Sequence, residues 1–258
     1  NTSRFKVGDR VGLTWLYSTC GACKYCINGR ENYCPHFKST GWDVDGGYAE
    51  YVVAYENYAI PLNDVPLNLA DLAPMMCPGV ASYMCLDLAK PEPGDSIGLI
   101  GFGPTAYYLL KIGNYLGLDV YVSTRSKHHK EMAYEYGAKW VGNIIEEDFP
   151  TKLDAIVSFP PVGSIIERAL NNLKSGGTLV LAQIASTPIT INNYSNLWGS
   201  TIKTVYNVNR RGAYGILEYA KKVDLSIDKE IVRFEEIQDA MIRVRKGGID
   251  KLVAVAKV

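Results

Sequence analysis

The sequence predicts an α/β protein built on a doubly wound parallel sheet, and three observations carry that expectation. Ser96–Ile100 is a short β-rich run, GFGPTA (101–106) is a tight turn, and Ala106, Leu109, Leu110, Gly113 and Gly117 then recur at helical spacing. Further on, LDAIVSF (153–159) reads as a strand, GSIIERALNNL (163–173) as an amphipathic helix, and SGGTLVLAQI (175–184) as a glycine turn feeding another strand. Strands that alternate with helices build a parallel sheet covered on both faces. The third observation is bulk: 258 residues, 47% hydrophobic and 21% charged, can bury a full core as one large domain or two smaller ones.

Charge narrows the partners. Lys plus Arg and Asp plus Glu both number 27, with no dense basic stripe, so nothing attracts a polyphosphate backbone and nucleic acid is excluded as an expected partner. No apolar run approaches the roughly 18 residues that span a bilayer. The opening NTSRFKVGDR is no signal peptide, so the expected compartment is the cytoplasm, with no membrane partner. The chain starts at Asn1 and reaches GDRVG with no element before it, which leads to the expectation that a preceding segment is missing.

The turn after the first parallel strand has the chemistry of a phosphate cradle. Gly101 permits the turn, Gly103 lets backbone approach a pyrophosphate, and Ala106 is small enough for helix to pack on strand. Phe102, Pro104 and Thr105 fill the positions between, at the positive end of the new helix. The next strand, in LDVYVSTRSKHHKE, ends at Thr124, 23 residues after Gly101, where NAD-specific folds present an acid to the ribose 2'-hydroxyl. No acid stands there. Arg125, Ser126, Lys127 and Lys130 follow instead and suit a 2'-phosphate, so NADP(H) is favoured over NAD(H). The competing interpretation is a solvated basic helix start that binds both cofactors alike. Thr124, Phe159 and Ile184 close three strands at the end where ligands bind. Phe159 and Pro160 either line that cleft or cap a buried strand. His128 and His129 point about 100° apart on a helix and are surface or adenine-side residues.

Four of the six cysteines, Cys20, Cys23, Cys26 and Cys34, form C-x2-C-x2-C-x7-C. Cysteines this close cannot readily form several unstrained disulfides with one another, and a reducing cytosol would not keep them. Four thiolates around a tetrahedral Zn2+ leave no open position, which makes the expected site structural. An iron–sulfur cluster is the rival, weakened because bacterial ferredoxins use a last spacer of about three residues, not seven. His36 is a further candidate ligand, better read as a surface imidazole. On composition alone Cys77 and Cys85 are buried cysteines.

The cysteine loop, GWDVDGGYAEY (41–51), APMMCPGVASY (73–83), the GFGPTA turn and LNNLKSGGTLVLA occur in one order along nearly the whole chain. Together they resemble the zinc-dependent alcohol dehydrogenases of the medium-chain dehydrogenase/reductase superfamily. The resemblance implies a partial GroES-like, largely antiparallel domain at 1–80, a Rossmann dinucleotide-binding domain at 81–207, and a return to the first domain at 208–258. It implies that Cys20, Cys23, Cys26 and Cys34 hold the structural zinc and that Cys77 is the third ligand of a catalytic zinc. Gly101, Gly103 and Ala106 match its pyrophosphate turn.

The implied reaction is reversible hydride transfer between an alcohol and an aldehyde or ketone with NAD(P), in a homodimer or tetramer. The family's other two catalytic ligands precede the segment matching KVGDRV, so this chain contains only one of the three. Where many relatives carry a Gly-Arg pair, this chain has Lys251 and Leu252, leaving Arg210 and Arg211 as alternative anion partners. The alternatives to an alcohol dehydrogenase are a non-catalytic nucleotide-binding module with a structural zinc, and a zinc-independent quinone or enone reductase. Cys77 at a ligand position argues against the latter.

Overall fold

The computed structural model describes residues 2–247 and 249–257. In chain order the elements are β1 (Val11–Gly12), β2 (Leu16–Ser18), β3 (Lys38–Ser39), β4 (Ile60–Pro61), α1 (Leu69–Pro74) and α2 (Val80–Ala89). There follow β5 (Ser96–Ile100), α3 (Pro104–Tyr115), β6 (Asp119–Ser123), α4 (Lys127–Glu135), β7 (Trp140–Gly142) and β8 (Leu153–Ser158). The remainder are α5 (Ile166–Asn171), β9 (Leu173–Leu181), β10 (Thr201–Thr204), α6 (Arg210–Ala220), β11 (Lys229–Arg233), α7 (Ile237–Arg245) and β12 (Val253–Lys257). Two compact units divide the chain: Asn1–Val80 with Asn207–Val258, and Ala81–Tyr206.

The second unit is a six-stranded sheet in the order β10-β9-β8-β5-β6-β7, every pair parallel. Its first strand, β5, lies in the middle, with β6 on one side and β8 on the other, so the chain reverses direction across the sheet there. Such a switch point opens a crevice at the carboxyl ends of the strands. β5 and most of β6 and β8 are buried on both faces, as continuous apolar runs in a helix-covered sheet should be. Leu153, Ile156, Ile166 and Leu179 anchor the core between sheet and helix α5.

In the first unit the strands are short. β1 pairs with β4 and β2 with β3 antiparallel, whereas β11 and β12 pair in parallel. Two buried carboxylates fasten the returning segment: Asp71 on α1 accepts from Lys229 at 2.5 Å, and Glu31 accepts from the Arg210 Nε at 2.9 Å. Between α1 and α2 the backbone widens into a π turn, Met75–Gly79. Pro78 has no N–H to offer the preceding turn, and its ring would crowd a regular helix, so the turn expands around it. Gly79 lets α6 close in: a Cβ there would lie 3.1 Å from Met75 Cβ and 3.2 Å from Ile216 Cγ1.

Leu69–Ala89 is 21 residues of continuous helix and the one helix among the described residues long and apolar enough to cross a membrane. That corrects the expectation that no such run exists. Most of it is buried within the protein, and it carries Asp71, Pro74, Pro78 and Asp87, which are features of a core helix.

Candidate cofactor cleft and metal centre

A cleft of about 700 Å³ opens where β5, β6, β7 and β8 end. Gly101 leaves β5 with φ +88°, and its N–H donates to Ser123 O at 2.7 Å, so the turn is tied to the end of β6. A Cβ at Gly101 would lie 3.2 Å from two ring carbons of Pro160, whereas one at Gly103 would meet nothing within 4 Å. The first glycine therefore serves the backbone and the second keeps space open over the cleft. Phe102 is buried beneath the turn and Ala106 is 1% exposed against the sheet. Pro104 and Thr105 begin α3, whose N-terminus has no side-chain cap and leaves its first amides to a ligand.

Across the cleft, Thr124 is buried directly after β6, and Arg125 and Ser126 are exposed along its wall. Ser126 caps α4 by accepting the His129 N–H at 3.3 Å. His129 also lines the cleft, with its ring 6.4 Å from Phe102 in edge-on geometry. Burial, then the neighbouring His128 charge, holds the His129 imidazole below its ordinary pKa. Lys130 is half-buried on α4 and is not among the lining residues, and Lys127 is exposed and pairs with Glu131 at 3.9 Å. Phe159 and Pro160 line the wall beyond β8.

Two expectations change. β9 stops at Leu181, so Ile184 is no strand terminus but a fully exposed loop residue outside the cleft lining. Arg210 is committed to buried Glu31, the Asn57 carbonyl and the Tyr58 ring, so it is not an open anion partner. Asn143, Ile144 and Ile145 line the cleft after β7 and escaped the sequence. Their only signal is the polar Asn143 after an apolar strand; it is 7% exposed, and Ile144 N–H reaches back to Ser123 Oγ at 2.8 Å.

The four cysteines converge in the first unit. Their sulfur atoms all lie within 4.8 Å of one another, with contacts of 3.5 Å for Cys23–Cys26, 3.6 Å for Cys34–Cys20 and 3.9 Å for Cys20–Cys26. Tetrahedral Zn–S bonds of about 2.3 Å give S···S edges of roughly 3.8 Å, so the donor set fits zinc. Cys26 and Cys34 are buried, and short helical turns at Cys26–Asn28 and Glu31–Tyr33 present them. The backbone amides of Ala22 and Cys23 lower the Cys20 thiol to about 6, whereas burial raises Cys34 to about 11. The His36 contact is made by its backbone N–H to Cys34 Sγ at 3.4 Å, with the residue exposed, so its imidazole is no ligand.

Cys77 occupies the π turn at the edge of a separate pocket of about 420 Å³, with Gly47, Tyr48, Pro74, Phe234 and β12. It is exposed to that pocket, yet packing around it raises its thiol pKa. The lining offers no second metal-binding side chain, and among the described residues the only cluster of ligand type is the four-cysteine one. A catalytic zinc therefore does not fit the donors present at Cys77. Cys85 is fully buried, and burial pushes its thiol to about 12.

Residues 1–64 match the alcohol dehydrogenase GroES-like domain family. An alcohol dehydrogenase of Geobacillus stearothermophilus is 33% identical over 254 residues, covering 95% of this chain and 74% of its own length. The chain belongs to the zinc-dependent alcohol dehydrogenase family. A probable alcohol dehydrogenase of Mycobacterium tuberculosis is 35% identical over 227 residues, and the match spans 86% of this chain and 64% of that protein. A cinnamyl alcohol dehydrogenase of Sorghum bicolor superimposes with TM-score 0.87 at 25% identity, over 98% of this chain and 76% of its own. Membership in this oxidoreductase family accounts for the pairing of a four-cysteine lobe with a doubly wound sheet.

Proposed function

We propose that the protein transfers hydride reversibly between an alcohol and the corresponding aldehyde or ketone and NADP(H). The observation that carries the cofactor preference is the end of β6, where Thr124, Arg125 and Ser126 line the cleft and no carboxylate does. An acid there would bond a ribose 2'-hydroxyl and repel a 2'-phosphate, whereas Arg125 with Ser126 at the positive end of α4 favours the phosphate. When bound, the nicotinamide would supply the hydride acceptor, and oxidation of the alcohol would release the hydroxyl proton to solvent. The chain's own residues orient the cofactor: Gly103 admits the pyrophosphate, the α3 amides donate to it, and Phe102 and Ala106 hold the turn against the sheet.

Cys20, Cys23, Cys26 and Cys34 would hold one structural zinc, whose thiolates fill the metal and leave no site for substrate. Resemblance assigns Cys77 to a catalytic zinc, but one thiolate cannot hold that metal and no step of the reaction is assigned to it. A second reading is a nucleotide-binding module without catalysis. Free thiols throughout and the thiolate site suit the reducing cytoplasm, and a homodimer or tetramer is the assembly the family suggests.

Titrating NADPH and NADH into the protein and into Arg125→Ala tests the cofactor assignment. The variant should lose at least tenfold in NADPH affinity with NADH affinity unchanged, and unchanged NADPH binding would remove the proposal. NADPH binding without alcohol-dependent formation of NADPH would select the second reading.

A further inference from the structure

We propose that Asn28–Gly29 is a site of backbone modification gated by the structural zinc, closed while the metal is bound and reactive once it leaves, an inference that rests on the zinc assignment above. It is the one Asn-Gly step in the sequence, and it lies between Cys26 and Cys34. An asparagine carboxamide is open to attack by the backbone nitrogen of the next residue, and glycine, having no Cβ, leaves that nitrogen least shielded. In the reaction the Gly29 nitrogen bonds to Asn28 Cγ and the Cγ–Nδ2 bond breaks. Nδ2 departs as ammonia with the hydrogen that the Gly29 nitrogen gives up. Water then opens the cyclic imide at either carbonyl, leaving aspartate or the β-linked isoaspartate, and no oxidant or reductant is needed.

In the folded lobe both partners in that attack are held. The Gly29 N–H donates to Cys26 O at 3.2 Å, and Asn28 Nδ2 donates to Lys24 O at 2.6 Å. The same turn hangs from the cysteines themselves: Ile27 N–H donates to Cys23 O at 3.1 Å, and the sulfurs of Cys23 and Cys26 are 3.5 Å apart. Little else secures it, since Asn28 is open to solvent and Ile27 is 71% exposed. Removing the metal frees the cysteines to separate, and the Gly29 amide and the Asn28 carboxamide are released with them. An isoaspartyl link then adds one carbon to the main chain between Cys26 and Cys34. It also places a carboxylate beside a site that already gathers four thiol groups. Both changes oppose re-entry of the metal, so a lobe that reacts while empty binds zinc more weakly afterwards.

The test incubates the zinc-loaded protein and the chelated protein in water carrying heavy oxygen. Peptide mapping then measures label at Asn28, and native mass spectrometry counts metal per chain. The chelated protein should take up label at least roughly tenfold faster, because reaction follows the fraction of chains in which the turn is open. Asn28→Gln should take up none at this position in either state and still load zinc, since cyclisation from glutamine needs a larger ring. Isoaspartyl chains, separated and offered zinc, should bind it roughly tenfold more weakly than unreacted chains. Asn28→Asp, which has the added charge on a normal backbone, should lose less. Equal labelling with and without metal, no label in the chelated protein, or isoaspartyl chains that reload like unreacted ones would overturn the proposal. Native chains that carry no zinc would instead overturn the zinc assignment, and the gate would fall with it.

Discussion

Gly101 has two independent reasons to remain glycine. Its φ of +88° is one that side chains rarely adopt, and a Cβ would press on Pro160 at 3.2 Å, so strain and crowding add. Gly101→Ala should cost about 1–3 kcal/mol in urea unfolding and displace the turn enough to abolish NADPH binding. Glu31 is the second sensitive position. At 1% exposure it accepts from both the N–H and the Nε of Arg210, so truncation strands a guanidinium that also spans the Asn57 carbonyl and Tyr58 ring. Glu31→Ala should destabilise by about 2–4 kcal/mol, below the upper range for a buried pair because the arginine is partly solvated. Chemical unfolding of the zinc-loaded protein checks this. The residues that carry motifs were legible from sequence: the four cysteines by spacing and Gly101, Gly103 and Ala106 by order after a strand. Asn143 and the Glu31–Arg210 pair were not, because their roles follow from which loops tertiary packing brings together and no local spacing encodes that.

Strand β8 shows how an element's position and its electrostatics meet. Asp154 accepts from Ser96 N–H at 2.8 Å, Ser96 Oγ at 2.7 Å and Lys174 Nζ at 2.7 Å, tying β5, β8 and β9 at the amino end of the sheet. Burial opposes its charge, but Lys174 and Ser96 outweigh burial and its carboxyl titrates below the ordinary value. A depressed folded pKa means the folded state binds the proton less readily than the unfolded chain. The tie therefore contributes fully above the unfolded value of about 4 and is lost as pH falls through the folded value. Asp154→Asn should flatten the acid limb of the stability profile below about pH 4 and lower stability at pH 7, measured by urea unfolding at each pH. β5 and β8 were legible because their central residues, 97–100 and 155–157, are apolar and buried. The helix expected over 163–173 shrinks to α5 after a tight turn at Gly163–Ile165, and Leu173 goes to the sheet opposite Leu153. Leu173 is 7% exposed in the core, so packing overrode the helical period there.

At the scale of the molecule, ligands with separate addresses should stabilise separate parts of the chain. The cysteine lobe belongs to the unit of Asn1–Val80 and Asn207–Val258, and the glycine turn to Ala81–Tyr206. The lobe has little apolar burial of its own: Ile27 is 71% exposed, and its buried members are chiefly Cys26, Glu31, Asn32 and Cys34. Metal binding is then much of its folding energy, as in other small thiolate sites. Native mass spectrometry should report one zinc per chain, and hydrogen exchange should locate what the metal supports. After chelation, protection should fall across residues 16–40, and at the start of α6, where Arg210 and Asn209 meet Glu31 and Asn32. β5, β6 and β8 should keep their protection. NADPH at about a hundred times its Kd should add about 2.7 kcal/mol to opening that exposes its site. That protection should appear at 96–106, 119–129 and 155–160 and leave the lobe unchanged. Loss of sheet protection on chelation would show that the thiolate site supports the whole chain, and its structural role would then extend beyond its own lobe.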